Sequence, residues 1–527
     1  MTKGTKDFLK SACVLALSAL FMRTVSVSFQ SYVSEKLGAE GMGLYTLIST
    51  LYGFAVTFAT SGVSLAVTRL VSESLGRQDV PTAREALSHA GRYALLFSSV
   101  ATVVLFFGAT VLGGTVLGDV RTVLPLKVLA LSLIPLSLSS VMVGYFTAVG
   151  RVTAHAVIQV AEFGVRMVAT SVLFGILLPY GTVWACVAVV GANTLAQLFS
   201  TAVLALRYGW DLRRYLPKKA GDLPRAGGVG RLCHIALPVA FSAYVRSGLL
   251  TVEHILIPRS LSRGGISHAD ALASYGVLSG MSLPIVMYPF GILTSFSSLL
   301  VPVFAERRAR EEGRDIRRLA TRALHLTSVG AIGCTAVLAT FAREIGEVLY
   351  RSGEAGAYIL PLSFVLPLMF LDHVTDCILK GLGEQVWTMW VNIVDSFFSI
   401  VLVVGLLPVF GAMGYVYVII LAEVFNFALS ISRLKRVSRV RYDLLRSALL
   451  PCLSAVLAGT AVRVLTPILP HESGLGWLLV RMVFAACVYG SLTVLFSLIK
   501  SPQGLTSPAR GCIMEVSKRK EAQHDRT

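Results

Sequence analysis

The sequence predicts an all-α integral membrane protein of about fourteen transmembrane helices, arranged as two parallel-repeat six-helix lobes plus two extra helices. Three observations predict it. Of 527 residues, 55% are hydrophobic and only 14% charged, with a mean hydropathy of +0.72. A soluble domain carries about 25% charged residues. The apolar residues fall in runs of roughly 20, the length that carries a helix across ~30 Å of hydrocarbon. The chain also contains a copy of part of itself. No stretch shows the sustained apolar/polar alternation of a membrane barrel. The same composition excludes an ordinary soluble enzyme and a disordered chain.

Taken in order, Lys3, Lys6 and Lys10 precede an apolar run over 11–33. Its length, and the lack of a small-residue cleavage site before a soluble domain, predict an uncleaved first helix rather than a signal peptide. Further spans are predicted at 44–69, 93–117, 124–148 (beginning with Pro125 and Lys127), 153–178 and 182–206. These six make an N-terminal lobe over 1–206. The segment 207–232, with Pro217, Pro224, Gly227, Gly228 and Gly230, reads as a cytoplasmic linker. Spans at 233–257, 276–303, 323–342, 357–380, 386–408 and 411–432 make a C-terminal lobe over 233–436. Spans at 445–467, which contains Arg463, and 474–499 form the extra pair within 437–500. A cytoplasmic tail follows over 501–527.

The net charge of +18 would suggest nucleic acid in a soluble protein. In a membrane chain it reads as a topology signal, so no nucleic-acid partner is expected. Basic clusters run from Arg207 to Arg231, Arg307 to Arg322 and Arg433 to Arg446. With fourteen spans they share one side, which makes that side, and both termini, cytoplasmic. The other reading of the clusters is binding of anionic lipid or nucleotide. The eight Cys show no CxxC and no Cys/His cluster, so neither a disulfide framework nor a metal site is expected.

The internal copy is short and well registered. Gly150-Arg151, followed by Gln159-Val160-Ala161-Glu162, recurs as Gly383-Glu384 followed by Asn392-Ile393-Val394-Asp395 at the same spacing. A Leu-Leu-Pro closes each, at 177–179 and 406–408, and Tyr180-Gly181 or Phe410-Gly411 comes next. The copies lie six spans apart, an even number, so the lobes share one orientation and are related by an axis along the membrane normal. Two such bundles enclose a cleft, the usual geometry of a transporter working by alternating access.

An ionisable group at mid-membrane costs at least ~2.5–3.5 kcal/mol, so it faces a cavity or a partner. Arg23 lies well inside the first span. Arg246 and Glu253 stand two turns apart on one face of the seventh, the repeat counterpart of the first. They read either as a cation for an anionic head group beside an ion-carrying acid, or as a structural network. Asp372, Asp376 and Lys380 follow i, i+4, i+8 on one helix face. Two neighbouring carboxylates resist joint ionisation, so either one holds a coupling proton or Asp376 and Lys380 pair. Glu162 and Arg166 stand in the favourable order for a pair within one helix. Asp395 occupies the repeat position of Glu162 with Phe398 and Ser399 where Arg166 would offer a partner. Arg23 and Arg246 are therefore the substrate-binding candidates, and Glu253, Asp372, Asp376 and Asp395 the ion-coupling candidates. No P-loop, HExxH or GxSxG is present. The expectation is a non-enzyme without a cofactor, driven by an H⁺ or Na⁺ gradient or by its substrate.

Several stretches resemble the stage V sporulation protein B family. They are Lys36-Leu-Gly-Ala-Glu-Gly-Met-Gly-Leu-Tyr45, Ala59-Thr-Ser-Gly62-Val-Ser-Leu-Ala66 with Val71-Ser-Glu73, and Ala236-Leu-Pro238. Ile255-Leu-Ile-Pro-Arg259-Ser-Leu261, Tyr275-Gly-Val-Leu-Ser-Gly-Met281, Leu300-Val-Pro302-Val-Phe-Ala-Glu306 and Leu379-Lys-Gly-Leu-Gly383 extend the likeness over the first twelve spans. That family belongs to the multidrug/oligosaccharidyl-lipid/polysaccharide exporter superfamily, with lipid II flippases as relatives. The resemblance implies a bacterial plasma-membrane transporter. It would move a polyprenyl-pyrophosphate-linked sugar or peptidoglycan precursor from the inner to the outer leaflet, in spore-cortex or cell-wall synthesis. Membrane lipid and cell-wall synthesis enzymes are the partners it implies. Arg23 matches the first cleft arginine of the flippase pattern, and the second falls on Phe29. A cation-coupled multidrug exporter is one alternative, which would need acids and aromatics in its cleft more than arginines. A non-transporting membrane partner of a cell-wall synthase is another.

Overall fold

The computed structural model describes residues 3–77, 79–215, 228–310, 313–440, 445–465 and 474–500. Residues 216–227 of the predicted linker and the whole predicted tail therefore lie outside the described residues. Among the described residues every regular element is helical. Eleven helices are long and apolar enough to cross a membrane, and thirteen segments are if two bent pairs each count as one span. The first candidate, Met22–Gly76, is 55 residues long. At 1.5 Å per residue that is far more than one bilayer crossing. It breaks at Gly38, whose φ of 71° a residue with a Cβ rarely adopts. The count is consistent with the fourteen expected.

The bent pairs are Val120–Ala130 with Leu133–Ala148, at 43°, and Gly353–Ser363 with Leu366–Gly381, at 52°. Each precedes one copy of the repeat, and both copies turn the corner alike. Gly150 and Gly383 have φ of 72° and 76°. In the first, Gly150 N–H donates to Thr147 O and Arg151 N–H to Phe146 O. In the second, Gly383 N–H donates to Lys380 O and Glu384 N–H to Leu379 O. This two-bond cap satisfies the last carbonyls of a helix and needs a left-handed residue, which is why glycine stands at both corners. A long helix follows each, Val152–Leu177 and Gln385–Phe410.

The repeat also carries an ion pair of reversed polarity. Arg151, after the first corner, donates to the fully buried Asp211 at 2.7 Å. Glu384, after the second, accepts from Arg433 at 2.8 Å. Asp211 and Arg433 lie near the ends of the helices that come next, Thr182–Tyr215 and Ala412–Ser438. The same bracket thus holds the same pair of helices in each copy with the charges exchanged.

The chain divides into two compact units. One comprises Val33–Gly280 and Ser396–Tyr415. Its core is built from small side chains that let helices approach closely, as membrane interiors favour. In Val80–Phe107 the buried row is Ala83, Leu87, Ala90 and Ala94, packed with Val67, Val71, Val141 and Tyr145. Ser137 Oγ donates to Ala59 O at 2.8 Å and lies 3.2 Å from Ala94 O, which satisfies its hydroxyl without water.

The other unit comprises Met1–Tyr32, Met281–Asp395 and Val416–Thr527. Phe304, Ala320, Leu324, Val374, Ile378 and Leu434 pack in one cluster of this unit. The extra helices, Leu450–Leu465 and Leu475–Lys500, pack against Gly313–Thr340 through Ile332, Ala458 and Tyr489. Tyr489 Oη donates to Val329 O at 2.7 Å. A Cβ on Gly333 would stand 2.6 Å from the Tyr489 ring. Gly333→Val is therefore expected to displace that ring and loosen the last two helices, at a cost of about 1–3 kcal/mol for overpacking. Limited proteolysis after Leu465 checks it. Cleavage at the parental rate would contradict it.

Candidate functional site

The ionisable groups inside the apolar helices fall into separate sets. In the unit holding Met281–Asp395, Asp372 and Asp376 are both buried on Leu366–Gly381. Asp372 Oδ2 accepts from Asn426 Nδ2 at 3.0 Å. Its Oδ1, Asn426 Oδ1 and Ser430 Oγ are buried without a hydrogen-bond partner among the described residues. Asp376 Oδ2 accepts from Lys380 Nζ and from Asn392 Nδ2, both at 3.5 Å. Glu423 lies in the negative field of Asp372, Asp395 and Asp376. The structure thus gathers Asp372, Asp376 and Asp395 with Glu423 and Asn426, a polar turn already visible in the sequence, and with Asn392 and Ser430. Lys380 pairs with this group through Asp376, at 3.5 Å. Four carboxylates gathered in an apolar setting are costly to bury, so each needs a partner or a polar cavity. No cluster of three or more His, Cys, Asp or Glu with metal-binding geometry occurs among the described residues.

Arg23 belongs to the same unit. Its Nη2 donates to Met287 O at 3.1 Å, and its Nε is buried without a partner among the described residues. Met287 ends the short helix Leu283–Val286, just before Phe290–Ala309 begins. Arg23 therefore sits at a helix C-terminus, where free carbonyls favour a cation. Beside it Thr24 Oγ1 and Tyr288 Oη share a hydrogen bond of 2.7 Å.

Arg246 and Glu253 belong to the other unit. Arg246 is exposed and makes no ion pair or hydrogen bond among the described residues. Glu253 is buried, and its Oε1 accepts from Ser399 Oγ at 2.7 Å. The two turns between them do not bring them into a pair. Next to Glu253, His254 Nδ1 and Tyr275 Oη are 2.9 Å apart. Glu162 and Arg166 form the expected ion pair at 2.9 Å.

A further polar group in this unit has no counterpart among the residues singled out from the sequence. Arg121 pairs with Glu40 and with Asp119, both at 2.8 Å, and His268 Nε2 lies 3.7 Å from Asp119 Oδ2. Burial disfavours the Asp119 charge, but the side-chain and backbone hydrogen bonds from Arg121 outweigh it. With the charges of Arg121 and His268 they hold this carboxyl below its usual range. Only the Asp119–Arg121 spacing is short in sequence. The Glu40 and His268 contacts span many helices.

Residues 260–404 match the MatE family. The Bacillus subtilis (strain 168) protein "Stage V sporulation protein B" is 24% identical over 418 residues, which cover 79% of this chain and 80% of that protein. "Lipid II flippase MurJ" of the same strain is 22% identical over 518 residues, 93% of this chain and 94% of the relative. A solved lipid II flippase MurJ in an inward closed conformation superposes with a TM-score of 0.69 at 12% identity. That match covers 92% of this chain and all of the other, and shows a shared fold. Residues 8–308, more than half of the chain, match the polysaccharide biosynthesis protein family, and the chain belongs to that family.

Proposed function

We propose that this protein is a flippase of the bacterial plasma membrane, with both termini cytoplasmic. It carries a polyprenyl-pyrophosphate-linked sugar or peptidoglycan precursor from the inner to the outer leaflet by alternating access. The observation that carries this reading is the end-to-end likeness to a lipid II flippase, over 93% of this chain and 94% of that protein. In this reading Arg23 and Arg246 are each candidates for a pyrophosphate contact, because a guanidinium matches phosphate oxygens with two parallel N–H bonds. The polyprenyl tail stays in lipid. The sporulation relative supports a role in sporulation, and we extend it to spore-cortex synthesis alongside enzymes that build the wall. Depleting the protein in its own cells tests the function. The reading expects a lipid-linked sugar or wall precursor to accumulate in the inner leaflet, and an unchanged leaflet distribution would contradict it.

Coupling is assigned to the acids. Glu253, Asp372, Asp376 and Asp395 are the candidates for an H⁺ or Na⁺ site, and the crowded carboxylates around Asp372 favour that group. Asp372→Asn is expected to remove any response of transport to the pH or Na⁺ gradient while leaving substrate binding within about threefold. Gradient-dependent transport by this variant at the parental level would remove Asp372 from the role and leave Glu253, Asp376 and Asp395. The match of residues 260–404 to the MatE family favours one second reading, a cation-coupled exporter. That reading expects binding of organic cations and none of a pyrophosphate-linked lipid.

A further inference from the structure

A cavity of about 670 Å³ lies where three helices end, and four arginines line it: Arg308, Arg314, Arg317 and Arg439. All four belong to one unit. They stand at the end of Phe290–Ala309, in the first turns of Gly313–Thr340 and just past Ala412–Ser438. None of the four guanidiniums makes an ion pair or hydrogen bond among the described residues. Their neighbours off the cavity do. Arg310 pairs with Glu306 at 2.7 Å, Arg318 with Asp315 at 3.7 Å and Arg433 with Glu384 at 2.8 Å. Glu311 and Glu312 lie outside the described residues. The acids that are described on this face are thus spent on arginines that do not line the cavity.

Two further features point the same way. Arg314 and Arg317 occupy the first turns of a 28-residue helix. There the helix dipole and free N–H groups disfavour a cation and favour an anion. Arg308 lies over the Gly383 turn, where a Cβ would come within 2.6 Å of its Nη1. The bare corner gives the guanidinium room beside the cavity. A topology signal needs basic residues near helix ends. It does not need the unpaired ones to converge on one concavity at a helix N-terminus.

We infer that this cavity binds a phosphate group, carried as a phosphomonoester or diphosphate on a lipid headgroup. It sits at the ends of membrane-spanning helices, the level at which headgroups lie. Four guanidiniums match the charge and oxygen count of a doubly ionised phosphate better than those of a singly charged diester. The inference stands apart from the flippase reading, since it concerns resident or regulatory lipid whatever the cargo is.

The test uses the full chain in phosphatidylcholine nanodiscs. One arm titrates inorganic pyrophosphate, and the other adds phosphatidic acid to the nanodisc. Thermal stabilisation and calorimetry read the binding. The variant R314Q/R317Q removes two cavity arginines, R439Q removes a third, and K435Q/R436Q removes the same charge from the adjoining helix end outside the cavity. The cavity variants are expected to weaken binding about tenfold or more and the control pair to leave it nearly unchanged. A response to phosphatidic acid alone assigns a lipid headgroup, and an equal response to pyrophosphate assigns free phosphate as a competing source. Both keep the phosphate site. Failure of both probes to bind, or equal weakening by K435Q/R436Q, overturns it.

Discussion

Arg151→Ala is expected to destabilise the protein by about 2–4 kcal/mol, among the larger effects of any single replacement outside the apolar cores. Asp211 is fully buried, and Arg151 donates to it at 2.7 Å. Removing the arginine leaves a buried carboxylate whose other basic neighbour, Arg207, is 3.9 Å away. The range sits below that of a fully buried pair because the Arg151 side chain keeps about a third of its exposure. The second copy of the repeat, with glutamate at the corner and arginine on the following helix, shows that the bracket accepts the opposite polarity. Exchanging the charges, as R151E/D211R, should therefore restore more stability than either single change retains. The thermal midpoint and membrane yield of the purified variants check this. An alanine variant as stable as the parent would mean that water or lipid already compensates Asp211.

That bracket also shows where sequence reading stops. The two corners were legible because glycine at a fixed offset, followed by an acid twelve residues on, repeats with few alternatives. The structure gives those glycines the same left-handed cap. Their ion pairs were not legible. Arg151 meets a residue 60 positions away, and Glu384 one 49 positions away, with the signs reversed. No periodicity within one helix carries that information. The long apolar runs made the helical fold plain, since in lipid a backbone has few other ways to satisfy its polar groups. The kink at Gly38 left its span boundaries harder to read.

The site was legible in the same uneven way. Asp372, Asp376 and Lys380 share a face by spacing alone, and Asp376 and Lys380 do meet. The partners across helices, Asn426 for Asp372 and Ser399 for Glu253, depend on packing between helices far apart in sequence. Arg23 shows the limit most clearly. It has no acid three or four residues away in its own helix, so the sequence points to a cavity or an acid across it. The structure adds a backbone carbonyl at a helix break, a partner that no spacing in the sequence announces.

That difference sharpens the second large effect. Arg23→Ala and Arg246→Ala are each expected to weaken binding of a pyrophosphate-linked lipid by about tenfold to a hundredfold, the loss of one charge-assisted bidentate contact. Their stability effects should differ. Arg246 is exposed and unpaired among the described residues, so its alanine variant should melt like the parent. Arg23 bonds to Met287 O, so its removal should cost about 1–2 kcal/mol. Arg→Lys should rescue part of the binding at each position, because charge returns without the planar fork. Binding to purified variants, with melting as the control for folding, reads both effects. Normal binding by both alanine variants would remove the pyrophosphate role. Loss of stability in both without loss of binding would make the two arginines structural.

The measurement that bears most directly on the whole account is leaflet exchange by the purified protein. Proteoliposomes are loaded with a polyprenyl-pyrophosphate-linked sugar in one leaflet, and a membrane-impermeant reagent or enzyme reads the headgroup on the opposite side. The account predicts exchange well above that of protein-free vesicles, lowered by Arg246→Ala in a variant that still folds. Exchange no faster than in empty vesicles, under each imposed pH, Na⁺ and voltage gradient, would contradict it.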